Sequence, residues 1–347
     1  MTRLQHLLAR LLPRIPERLL DRIAGPPITL RNRRLDARLA MVTRSAASQV
    51  PFHRLSVGAA RRATREGLAS LDDRPHPMAR VERRSIGTDE RSLPARIYHP
   101  HGLDGARPLV LYFHQGGCVI GDLDGCETFC TILASIARCR VVSVDYRLAP
   151  EHRFPAAHED AWSAYCWARA CAAEVGGDPA RIVVAGDSAG GMLAAHVALR
   201  ARSEPPGGGP IAQVLVYPWL VMREPDDPAY AEFEDTYPLD RDGMSWFRQH
   251  LIAHEDDASD SRLAPLRATD LHGLPPAVIA TAGFDPLCDE GEEFATRLTK
   301  AGVPVTFRCY ESLCHSFTAM SGSIPAARQA LEEIAWDLER ILTRPPA

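Results

Sequence analysis

Residues 182–202 read IVVAGDSAGGMLAAHVALRAR, and three kinds of sequence meet there. IVVAG is a continuous apolar run of the length of a buried strand, and MLAAHVALRAR has the composition and spacing of a helix. Between them lies Gly186-Asp187-Ser188-Ala189-Gly190, which fits the pattern G-x-S-x-G. In that pattern a serine sits on a sharp strand-to-helix turn with its hydroxyl exposed, and small neighbours let the tight backbone pass without a clash. The start of the following helix favours negative charge developing beside it. A plainer explanation is a glycine-rich turn in which Ser188 only caps the helix. The choice rests on the rest of the chain.

Outward from this junction, short apolar runs alternate with helical stretches, the mark of a mostly parallel sheet covered by helices. Strands are predicted at 109–113, 141–145, 182–186, 213–217, 277–282 and 304–310. Helices are predicted near 127–138, 156–173, 189–202, 289–301 and 325–342, and an antiparallel pair of strands near 81–87 and 93–98 at the sheet's edge. Residues 1–75, helical and basic, and 219–255, rich in proline, acids and aromatics, break the alternation. They are expected to cover one end of the sheet as a cap, leaving 76–218 and 256–347 as an α/β core.

A serine hydroxyl is a weak nucleophile unless a base lies within hydrogen-bond reach and a carboxylate holds that base in one tautomer. Where such an elbow is catalytic on an α/β sheet, the acid and then the histidine follow it in the chain. Asp285 follows the predicted strand AVIATA, at the end of the sheet where functional residues gather, and His315 is the only histidine after it. Asp289 and Glu290 compete with Asp285, but they open the next helix, where acids ordinarily serve the helix dipole. His315 read by itself would be an ordinary surface or core histidine.

The strand LVLYF runs into His114-Gln115-Gly116-Gly117, where adjacent glycines let backbone N–H groups approach an oxyanion closely. Together with DYRLAPEHRFPAA (145–157), GDSAGG (186–191), DPLCDEG (285–291) and HSF (315–317), this resembles the bacterial hormone-sensitive lipase family over roughly residues 80–320. The resemblance implies an α/β-hydrolase fold with a helical cap. It implies Ser188 as nucleophile, Asp285 and His315 as its partners, the N–H groups of Gly116, Gly117 and Ala189 as an oxyanion hole, and activity on carboxylic esters of short or medium acyl chains. No metal or organic cofactor is expected. Two departures stand out: Gln115 replaces the first glycine of the usual triplet, and Cys118 stands where a bulky aromatic is common, which suggests a larger pocket. In DYRLAPEHRFPAA, Asp145, Arg147 and Glu151 read as structural, with Tyr146 available to face the pocket.

Two alternatives are kept. Amide or thioester hydrolysis would use the same residues, since the leaving group is selected by pocket shape. Non-catalytic binding of a small molecule is the other, as in the plant gibberellin receptors, which resemble this family but lack the histidine.

The 347 residues carry a formal charge of −4, divided into +11 over residues 1–84 and −15 afterwards. A basic arm for acidic surfaces is one explanation, but 39 of the 40 basic residues are Arg, so a general bias towards Arg explains it equally well. The resemblance implies a small-molecule ester as the partner, nucleic acid is not expected, and a homodimer is compatible with the sequence. Residues 1–20 place Leu4, Leu7, Leu8, Leu11, Leu12 and Ile15 at helical spacing among basic residues. Part of the cap is favoured over a membrane-surface helix, because Pro13 and Pro16 interrupt the pattern. No apolar run approaches the roughly 18 residues needed to cross a bilayer, and no signal peptide is legible, so a cytoplasmic location is expected. Nine cysteines without paired C-x-x-C spacing are expected as reduced, packed thiols.

Overall fold

The computed structural model describes residues 12–88, 91–204, 208–224, 226–233 and 236–344. After a short turn at Leu12–Arg14 come helix α1 (Glu17–Ile23), the small hairpin β1 (Thr29–Leu30) and β2 (Arg33–Arg34), and helices α2 (Ala37–Ala46) and α3 (Val57–Ala69). Strands β3 (Arg80–Thr88), β4 (Arg91–His99) and β5 (Arg107–Phe113) follow, then α4 (Glu127–Ile136), β6 (Arg140–Val144), α5 (Ala156–Cys171), β7 (Gly177–Asp187), α6 (Ala189–Ala201) and β8 (Ala212–Val216). The chain continues through α7 (Arg241–Leu251), β9 (Ala277–Phe284), α8 (Cys288–Lys300), β10 (Val305–Cys314) and α9 (Pro325–Thr343).

Eight strands form one sheet in the order β10-β9-β8-β7-β5-β6-β4-β3. Only β4 runs against its neighbours, pairing antiparallel with both β3 and β6, while the other pairs are parallel. Side chains alternate across each strand, so Leu111 and Phe113 enter the core under α5, α6 and α8, and Val110 and Tyr112 enter the opposite core under α4 and α9. Burial on both faces is why the central strands read as unbroken apolar runs.

The predicted elements are present with shifted ends. β7 begins at Gly177, five residues before its apolar run, because Gly177 pairs with Arg107 while the partly exposed 178–181 carry polar residues. β10 continues to Cys314, past the predicted 310, because Leu313 and Cys314 are buried beside β9. The two stretches that break the alternation meet in space. The Phe52 ring lies 5.5 Å from Trp246 and 5.2 Å from Phe247 on α7. Arg38 of α2 donates to Leu12 O (3.1 Å) and Ile15 O (3.2 Å), tying down the N-terminal turn. The apolar positions Leu4, Leu7, Leu8 and Leu11 lie outside the described residues.

Candidate active site

Ser188 follows β7 directly and has φ +56° and ψ −120°. A non-glycine residue held there costs about 1–3 kcal/mol and persists only where its surroundings enforce it. They do so here: Ser188 N donates to Val216 O (2.9 Å), and Trp219 N and Met192 N donate to Ser188 O (3.1 and 3.2 Å). Gly190 is required by close approach, since a Cβ there would lie 1.9 Å from Phe113 O at the end of β5. Asp187, buried beside the serine, accepts from Tyr112 Oη (2.7 Å), Tyr217 Oη (2.9 Å) and Thr318 Oγ1 (2.8 Å). Burial pushes its carboxyl up, and the three hydroxyl donors oppose that shift.

Parallel pairing assembles the next two groups. Phe284 of β9 stands opposite Cys314 of β10, so Asp285 and His315, the following residue of each strand, leave the sheet side by side. His315 Nδ1–H donates to Asp285 Oδ2 at 2.7 Å, and Ser188 Oγ lies 3.0 Å from His315 Nε2. The second Asp285 oxygen accepts from Leu287 N at 2.9 Å, which fixes the carboxylate's orientation. The competing acids are committed elsewhere. Asp289 pairs with Arg31, whereas Glu290 is fully buried and accepts from Leu220 N (2.8 Å), Val221 N (3.2 Å) and Arg223 Nε (3.2 Å). Burial raises the Glu290 carboxyl to about 8 despite these donors. It anchors the chain where it leaves β8, more than the helix-dipole role its sequence position suggests.

Gly116 (φ +121°) and Gly117 (φ +60°) turn the chain after β5. Val119 N and Ile120 N both donate to Gly116 O at 2.9 Å, and a Cβ on Gly116 would lie 2.1 Å from Ile120 O. Ala189 is the first residue of α6. Gln115 Oε1 accepts from Ser316 Oγ at 2.5 Å, linking this loop to the residue after His315. Arg61 of α3 supports the loop from the other side, donating to Val119 O and Ala149 O (both 2.9 Å) and pairing with Glu151 (2.7 Å). Nothing in the sequence near Arg61 marks that role, because its three partners are 58 to 90 residues away.

Two expectations are corrected. Cys118 does not enlarge the pocket: it is packed in the core, where burial pushes its thiol up to about 12. Tyr146 does not face the pocket either. It stacks on His114 with ring centroids 4.3 Å apart, and its hydroxyl donates to His114 O at 2.7 Å. A tyrosine just beyond a buried strand turns inward when a carbonyl is there to accept from it. Arg147 pairs with the buried Asp160, consistent with a structural role.

Ser188, His315, Gly116 and Gly117 open into a cavity of about 810 Å³. Its walls include Leu12, Met41, Phe52 and Leu68 from the N-terminal part, and Tyr237 and Phe247 from the segment after β8. Among the described residues, no group of three or more His, Cys, Asp or Glu is placed to hold a metal ion, and no helix is long and apolar enough to cross a membrane.

An elbow serine, a histidine and a carboxylate joined in this order at one end of such a sheet define a hydrolase, and the chain belongs to the alpha/beta hydrolase fold family, whose model matches residues 110–319. It is similar to the esterase LipI of Mycobacterium tuberculosis, with 43% identity over 289 residues, spanning 81% of this chain and 88% of that protein. It is also similar to the carboxylesterase NlhH of the same organism, with 42% identity over 260 residues, spanning 73% and 80%. Among solved structures, an ester hydrolase from the metagenome of Lake Arreo, complexed with a bipyridine phosphonate derivative, matches at 34% identity with a TM-score of 0.81, covering 87% of this chain and 96% of that one. The resemblance to hormone-sensitive lipase relatives read from the motifs therefore holds.

Proposed function

We infer that the chain is a serine carboxylesterase in which Ser188 is the nucleophile, His315 the general base and Asp285 the group that orients and stabilises the imidazolium. The observation that carries this reading is the continuous chain of two hydrogen bonds, Ser188 Oγ to His315 Nε2 at 3.0 Å and His315 Nδ1 to Asp285 Oδ2 at 2.7 Å. Ser188 attacks the ester carbonyl as His315 takes its proton, and the N–H groups of Gly116, Gly117 and Ala189 receive the oxyanion. The alcohol leaves with the proton from His315, and water activated by the same histidine resolves the acyl-enzyme.

Residues 1–75 and 219–255 act as a cap over a core formed by 76–218 and 256–347. The cavity walls contributed by both stretches support this division. The family resemblance, together with two stretches that wall the cavity and so limit chain length, supports acyl chains of roughly two to eight carbons. A small-molecule ester is the partner, and a cytoplasmic location belongs to the same reading.

The test is a panel of p-nitrophenyl esters of graded acyl length, run with the wild type and with Ser188→Ala and His315→Ala. Each substitution should lower kcat by roughly 10⁴-fold while leaving the fold intact. Retention of more than about a tenth of wild-type kcat by either folded variant would overturn the triad. A higher kcat/KM on a sixteen-carbon than on a four-carbon ester would overturn the chain-length reading.

A further inference from the structure

Cys288 and Cys309 lie on neighbouring elements behind the site, with their Sγ atoms 4.0 Å apart. Cys309 is on β10, opposite Thr281 of β9, and Cys288 opens α8. The two differ in exposure. Cys288 is 1% exposed, whereas Cys309 is only partly covered and lines a surface hollow with Tyr310, Ser312, Ala326 and Gln329. A cation faces the pair: Arg33 Nη1 donates to Cys288 Sγ at 3.7 Å, and the Thr281 hydroxyl lies 3.8 Å from the same sulfur.

We propose that Cys309 and Cys288 form a site of covalent modification by hydroperoxides, in which the accessible Cys309 is oxidised first and the buried Cys288 resolves it into a disulfide. The Cys309 thiol is held down at about 6 by hydrogen bonding from Cys288, with contributions from Thr281 and the Arg33 guanidinium, while the Cys288 thiol is pushed up by its bond to Cys309 and by burial. Thiolate character on the accessible sulfur and a second thiol in contact are the two requirements of this chemistry. The Cys309 thiolate attacks the peroxide, forming an S–O bond as the O–O bond breaks, and the departing alkoxide or hydroxide takes up the thiol's proton. Cys288 then attacks that sulfur, the S–S bond forms, the S–O bond breaks, and hydroxide leaves as water with the Cys288 proton. Two thiols and one hydroperoxide thus become one disulfide, one alcohol (water when the oxidant is hydrogen peroxide) and one water.

The pair is coupled to the site through three residues of backbone. Cys288 N donates to Asp285 O at 3.1 Å, and the turn between them also carries the Leu287 N–H that braces the Asp285 carboxylate. Closing the sulfurs from 4.0 Å to the disulfide length of about 2.05 Å draws the start of α8 and β10 together and shifts that turn. The disulfide therefore lowers kcat, a consequence that rests on Asp285 orienting His315.

Full-length protein is treated with hydrogen peroxide and then with dithiothreitol, followed by peptide mapping, thiol titration and ester kinetics. The expected result is a Cys288–Cys309 cross-linked peptide, loss of two titratable thiols, and a kcat decrease of up to roughly 10²-fold, the cost of misplacing a positioned group by about 1 Å, reversed by dithiothreitol. Cys309→Ser should keep basal activity and abolish the response. Cys288→Ser should stop at a sulfenic acid on Cys309 that dimedone traps. Circular dichroism establishes that both variants are folded, and Cys309→Ala serves as a second variant at the accessible position. Absence of the cross-link, or an unchanged peroxide response in folded Cys309→Ser and Cys309→Ala, would overturn the modification site. A fully cross-linked enzyme with unaltered kcat would overturn its coupling to Asp285. The mapping does not depend on activity, so these failures are distinct from a failure of the Ser188 and His315 variants.

Discussion

The hydroxyl of Ser316 donates to Gln115 Oε1 at 2.5 Å, joining the loop after β5 to the residue that follows His315 across 201 positions of sequence. The glutamine that replaces a glycine of the usual triplet thus serves as an acceptor between the two halves of the site.

Gln115→Gly removes that acceptor and leaves the buried Ser316 hydroxyl to find another. A single hydrogen bond of this kind is worth about 0.5–1.5 kcal/mol, so kcat should fall by at most about tenfold. Ser316→Ala should behave similarly, and the double variant should cost less than the two separate losses combined. If Gln115→Gly lost the 10²- to 10³-fold typical of a missing oxyanion donor, the donor set would have to be reassigned.

Asp187 holds three hydroxyls that come from β5, from the chain just after β8 and from the loop beyond His315. Asp187→Ala leaves Tyr112 without its acceptor and Tyr217 and Thr318 with only each other at 2.5 Å, and should destabilise the fold by roughly 2–3 kcal/mol. It should also lower kcat, because Tyr217 packs against His315 with centroids 4.6 Å apart. Asp187→Asn, which keeps one acceptor oxygen, should lose less of both. Urea unfolding of the two variants reads the effect, and an Asp187→Ala variant within about 0.5 kcal/mol of wild type would remove the network's structural role.

His158 on α5 and His196 on α6 lie with ring centroids 5.2 Å apart in the interface between those helices. Burial pushes both down, His196 to about 4 and His158 well below its ordinary value. Both are neutral in either state above about pH 6.5, so their effect on stability is absent there. Below that pH the unfolded chain takes up protons that the native state refuses, and stability falls with pH until the native His196 titrates near 4. Between pH 7 and 5, wild type should lose about 2 kcal/mol more than His196→Gln in urea unfolding. Equal losses in both proteins would show that His196 is not buried in its neutral form.

Deleting residues 1–20 removes Leu12 from the cavity wall and takes two carbonyl acceptors from the buried Arg38. The truncated protein should be less stable and should show an altered ester-length profile. The intact protein should not co-sediment with anionic vesicles in a salt-sensitive manner. Vesicle binding lost on truncation, with kinetics unchanged, would instead assign this segment to a membrane surface.

Elements whose signal is local were legible in the sequence. Apolar runs buried on both faces marked the strands, the glycines around Ser188 marked the elbow, and the absence of any later histidine singled out His315. Each of these follows from a constraint acting within a few residues: burial of a strand, steric closure of a turn, or chain order on a given sheet. The bond between Gln115 and Ser316, the support of the β5 loop by Arg61, the hydroxyls around Asp187 and the contact between Cys288 and Cys309 have no such local signature. For Cys118 and Tyr146, sequence position reveals that a residue is near the site but not which way its side chain points, and both turn into the core. Those features depend on which strand ends stand side by side and which loops fold over them. Strand order and packing bring together side chains that are tens to hundreds of residues apart, and only the assembled sheet determines those neighbours.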